Sequence, residues 1–138
     1  DPDRESSRVK IGLMDGVIRK ANAIARSQGV EFLVLIQPSA RDMTIPNSSF
    51  GYDHLEKYPS YRRTNLTDAV ESICVNGGVN FVNLYPLYEK NSPEELFFEG
   101  GDDHWNDRAQ LLAARYTAEY IAAHHLLAPG TPAVANIQ

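Results

Sequence analysis

Two apolar runs restrict the folds open to this chain. Residues 30–36 (VEFLVLI) are nearly continuous in apolar and β-branched side chains before Gln37-Pro38 stops them, which is the pattern of a strand covered on both faces. Residues 79–84 (VNFVNL) alternate apolar and polar more strongly, so this second strand has a less covered face or edge. One helical pattern precedes the first run and another separates the two. Strands alternating with helices require right-handed crossovers, and therefore a parallel sheet with helices against its faces. The expected class is α/β, in the order helix, strand, helix, strand, helix.

The helices are read from spacing. In residues 8–28, Ile11, Met14, Val17, Ile18, Ala21, Ile24 and Ala25 recur at helical intervals, and Gly29 follows as a C-terminal cap. Residues 65–76 place Leu66, Ala69, Val70, Ile73 and Cys74 on one stripe, with Gly77-Gly78 as the stop. Residues 107–125 carry Leu111, Ala114, Ala118, Ile121, Ala122 and His125 along one side, and Pro129-Gly130 ends them. Between the first strand and the second helix, residues 38–64 read as a long loop interrupted by Pro38, Pro46 and Pro59. Its aromatics Phe50, Tyr52, Tyr58 and Tyr61 either cover the body of the domain or line a substrate cleft, and Tyr52 is the residue singled out for substrate contact. Two strands are few for three apolar helix stripes, because a two-stranded parallel sheet leaves rows of backbone donors and acceptors unpaired. The expectation is a chain that pairs with a partner, by self-association or as one part of a larger domain.

Composition narrows the function classes. The 138 residues are 43% hydrophobic, enough for one domain with a core. A formal net charge of -5 provides no basic surface for phosphates, so nucleic acid is not an expected partner. No apolar run approaches the roughly 18 residues of a membrane span. The single Cys74 lies among apolar neighbours with no adjacent cation, which predicts a buried side chain rather than a reactive thiol.

Chemistry concentrates in residues 99–106, EGGDDHWN. This segment leads from a strand-like stretch into a helix N-terminus, on the side of the sheet where open α/β folds place their sites. A neutral imidazole takes a proton from a hydroxyl nucleophile, and a carboxylate that accepts the other ring N–H holds the tautomer and stabilises the cation. In an extended or turned backbone Asp102 and His104 share one side and Asp103 faces the other, so Asp102 is the expected partner of His104. Asn106 is suited to cap the helix that starts at Asp107, and Trp105 to fill the gap between loop and helix or to meet substrate. No second cluster with metal-ligand spacing accompanies the motif, and the adjacent His124 and His125 do not form an i, i+4 pair, so no metal is expected.

The segment DDHWNDRAQLLAARYTAEYI resembles the last block of SGNH (GDSL-like) hydrolases, in particular the DHHW branch related to alginate O-acetylation proteins. The order SQGVEF, VLIQPS, VNFVNLYPLY and then the motif is similar to the C-terminal portion of that domain. The resemblance implies a partial three-layer α/β/α, flavodoxin-like fold in which residues 1–138 form a single domain or the C-terminal part of one. It also implies a Ser-His-Asp triad with His104 as general base and Asp102 as its orienting acid, Asp103 being the substitute for that role, acting without a cofactor on acyl esters, those of carbohydrates among them, in an extracytoplasmic setting. No Gly-Asp-Ser-like nucleophile block is present: Ser39, in QPSARD, lacks a glycine-flanked turn and reads as a loop or cap residue. The contrasting expectation is a non-catalytic α/β module that binds a glycan or protein through residues 50–61.

Overall fold

The computed structural model describes residues 2–43, 59–99 and 102–127. Helix α1 (Glu5–Ser27) leads to strand β1 (Leu33–Ile36) and a single helical turn, α2 (Ala40–Met43). Helix α3 (Asn65–Gly77), strand β2 (Asn80–Asn83) and a short α4 (Tyr85–Glu89) follow. A 3-10 turn (Pro93–Glu95) precedes the final α5 (Asp107–Ala123). The strands pair in parallel, Leu33 with Asn80 through Ile36 with Asn83, and Leu84 N continues the ladder by donating to Ile36 O at 2.9 Å. The described residues thus form a mixed helix and strand fold with a two-stranded parallel sheet.

Alternation along the strands separates two cores. Val34 and Phe81 pack against Ile18 of α1 and Ile73 and Cys74 of α3. Leu33 and Val82 point the other way, into a cluster built from Leu84, Tyr85, Tyr88, Leu96, Phe97, Ala109 and Ala113. Cys74 is fully buried; desolvation, with Glu71 adding to it, pushes its thiol pKa up, as befits a packing residue.

Several boundaries differ from the sequence reading, for local reasons. The first strand starts at Leu33 rather than at residue 30, because Val30 N returns to Ala25 O (3.0 Å) across Gly29, whose φ of 65° closes α1. Gly78 (φ 59°) ends α3 in the same way, with Val79 N on Cys74 O at 2.9 Å. The chain after β2 continues as α4, started by Asn83 Oδ1 accepting from Tyr85 N (3.0 Å) and by Pro86 in the first turn. The expected stripe on α5 is out of phase. Ala109 and Ala113 face the core, with Leu112 and Tyr120 beside them, while Leu111, Ala114 and Ala118 are exposed. The fully buried Tyr88 meets α5 in that phase, its hydroxyl donating to Ala109 O at 3.1 Å.

Coverage of the sheet is uneven, contrary to the expectation of a first strand buried on both faces. Leu35 is 40% exposed although its neighbour across the ladder, Val82, is buried. On the other side α1 leans on α3, and much of its predicted apolar stripe, Met14, Val17 and Ile24 together with Leu13, stays open to solvent. This asymmetry is testable by truncation. Leu84→Ala, at a position 0% exposed, should cost about 2–5 kcal/mol of unfolding free energy. Leu13→Ala, at a position 66% exposed, should change stability by less than about 0.5 kcal/mol in the same denaturant titration.

Candidate active site

Both strands end on the same side, and residues 102–106 approach those ends through Asp103 and Arg41. Antiparallel pairing between residues 95–98 and 104–106 holds them there. Phe98 N donates to His104 O (3.1 Å), Asn106 N donates to Leu96 O (3.0 Å), and Phe97 and Trp105 form the bridge between them. Arg108 and Glu95 close the base of this clasp as an ion pair. Trp105 is partly buried against the core beside Leu96 and Phe97, so much of its surface goes to packing.

Asn106 is the N-cap of α5, with Oδ1 accepting from Ala109 N at 3.2 Å. Its Nδ2 also donates to Glu95 O (2.8 Å) and Phe97 O (3.3 Å), contacts that nothing in the local sequence announces. One carboxamide therefore ties the helix to the facing strand segment.

Within the clasp, Asp102 and His104 are joined twice through the same oxygen. Asp102 Oδ1 accepts from His104 N at 2.9 Å and contacts the ring Nδ1 at 2.5 Å. With the Nδ1 proton directed at the carboxylate, the lone pair of the neutral ring resides on Nε2. The His104 side chain is 83% exposed and that of Asp102 48%, so Nε2 is accessible. Asp103 diverges from the pair and approaches Arg41, just beyond β1, at 3.8 Å. The arrangement orients an imidazole as a proton acceptor and tethers its loop to the end of the sheet.

The surrounding polar residues are engaged with one another. Ser39 Oγ accepts from Asp42 N (3.2 Å) and donates to Asp42 Oδ2 (2.8 Å), a cap for α2. Tyr61 donates its hydroxyl to Asp42 Oδ1 at 2.5 Å, and a hydrogen bond joins Arg63 to Tyr85. Among the described residues, no serine hydroxyl bonds to His104 and no group of three or more His, Cys, Asp or Glu is gathered to hold a metal ion. Tyr52, with Phe50, His54 and Tyr58, lies outside the described residues. At the far end of α5, His124 stacks on Tyr120 (3.9 Å between centroids), away from the motif in sequence. None of the described helices is long and apolar enough to cross a membrane. Searches against protein-family models, curated proteins and solved structures find no match to this chain.

The electrostatics follow from the geometry. The backbone N–H of His104, and after it the ring, hold the Asp102 carboxyl below its ordinary value of 3.8. A depressed carboxylate pKa makes its bonds fully available above the ordinary value, with loss only as pH falls through the lowered one. The Asp102 carboxyl carbon, followed by NMR, should therefore titrate with a midpoint below 3.8, and His104→Ala should move that midpoint part of the way back while the backbone bond remains.

Proposed function

We propose that Asp102 and His104 are the acid and base of an SGNH-type serine esterase or acyltransferase, acting on acyl esters such as acetylated carbohydrates. The observation that carries this reading is the double acceptance by Asp102 Oδ1, which leaves His104 Nε2 as an exposed proton acceptor. The hydroxyl nucleophile gives its proton to Nε2 as its oxygen attacks the ester carbonyl, and Asp102 stabilises the resulting imidazolium. The imidazolium returns that proton to the departing alkoxide when the acyl–serine ester forms. An incoming water or acceptor hydroxyl is then deprotonated at the same Nε2 as it attacks the acyl carbonyl, and the imidazolium returns that proton to the departing serine oxygen. The carboxylate contact at Nδ1 fixes the tautomer that presents Nε2 to the nucleophile.

The proposal extends to the fold. The two-stranded sheet with helices on each side is part of a three-layer α/β/α arrangement of the flavodoxin-like kind. Support for this reading comes from the edge of β1, unpaired among the described residues, and from the open stripe on α1, both suited to a sheet that further strands continue. In this reading the serine and oxyanion donors come from polypeptide that joins this edge, and Ser39, committed to Asp42, serves as a cap. The alternative, a glycan- or protein-binding module, draws less support: Tyr61, the described aromatic of residues 50–61, turns its hydroxyl inward to Asp42.

Acetyl-ester turnover by the protein tests the reading. His104→Ala should lower kcat by roughly a thousandfold or more with KM little changed, and Asp102→Asn should lower it by a smaller but large factor. Wild-type turnover in His104→Ala would exclude the mechanism.

A further inference from the structure

We infer that Asn106 is a positioning residue for His104, and that its carboxamide nitrogen, rather than its capping oxygen, performs this task. The inference rests on the acid–base reading of the motif but is carried by different atoms. A residue that served only as N-cap of α5 would need an acceptor for Ala109 N, and aspartate would serve at least as well, since its charge suits the positive end of the helix. Asn106 does more. Nδ2 spans the carbonyls of Glu95 and Phe97 (2.8 and 3.3 Å), while its own N–H reaches Leu96 O at 3.0 Å. Three consecutive carbonyls of the facing segment are thus held by one residue, two positions after His104.

What this grip fixes is the backbone of the imidazole. His104 O accepts from Phe98 N, two residues along the same clasp, and His104 N donates to Asp102. With both backbone groups of His104 in use, its Cα–Cβ direction is set, and the ring lies in line with Asp102 Oδ1. If the facing segment is released, His104 O and Phe98 N exchange partners with water, and the extended path from 104 to 106 is no longer imposed. The geometry requires an amide: aspartate at this position directs a carboxylate oxygen at two carbonyl oxygens, and serine provides a cap without reaching both.

Asn106→Asp and Asn106→Ser separate the two roles in the chain as it stands, by NMR. In Asn106→Asp the amides of Ala109 and Gln110 should keep their protection from hydrogen exchange, because the cap survives. The Phe98 amide should lose protection by roughly tenfold. The His104 ring nitrogens should shift away from the Nδ1–H form toward the Nε2–H form of a free histidine. Asn106→Ser, which adds no charge, should reproduce both changes and serves if the aspartate variant does not fold. Ring nitrogen shifts that stay at their wild-type values in a folded variant overturn the inference and reduce Asn106 to a cap. These measurements involve no acyl substrate, so they stand or fall separately from the hydrolase reading.

Discussion

The parallel register of β1 on β2 is the constraint on which the remainder of the molecule depends. Running the strands the same way brings Ile36 and Asn83 to one side of the sheet and obliges the chain to leave each of them there. It leaves through α2 and α4, which touch one another. Tyr88 of α4 then supports Ala109 at the start of α5, and the residues just before that helix are the ones with chemistry to offer. Position in the fold and position of the reactive groups are in this sense one fact. An antiparallel hairpin of the same two sequences would have sent the second exit to the opposite end.

The polar part of the site is assembled from small contributions. Each backbone bond of the clasp contributes a net stabilisation of about 0.5–1.5 kcal/mol, and exposed ion pairs such as Arg41–Asp103 contribute less. Neither the pair nor its loop is held by a deep core. Beneath it, however, Leu96, Phe97 and Trp105 anchor the clasp in the cluster that contains Tyr88 and Leu84. The result is a firm base carrying an open ring. An imidazole in water gains little from its carboxylate by charge alone, and that gain rises when a covering surface lowers the local dielectric.

Much of the element order was legible in the sequence because strands and helix stops have local causes: β-branched runs, and glycines that accept positive φ. Gly29 and Gly78 illustrate this, each closing a helix where the pattern ended. The phase of α5 was not legible, since Leu111 and Ala109 look alike to a periodicity count. Ala109 is the one that lies beside Tyr88, a residue some twenty positions earlier in the chain and invisible to local spacing. The open side of α1 was hidden for a related reason, because an apolar stripe declares that it is suited to burial and not whether anything covers it. At the site, the partnership of Asp102 with His104 followed from alternation, and so did the divergence of Asp103. The second function of Asn106 did not follow, as its acceptors lie on a segment that only the tertiary structure brings alongside.

Acid and base stand two residues apart on one length of backbone, joined through a single oxygen. No long loop has to close between acid and base, and their alignment is held by the clasp through the backbone of His104. A hinge that left the clasp intact would change where the ring is delivered and leave the pair aligned. One that opened the clasp would part acid from base without moving either far.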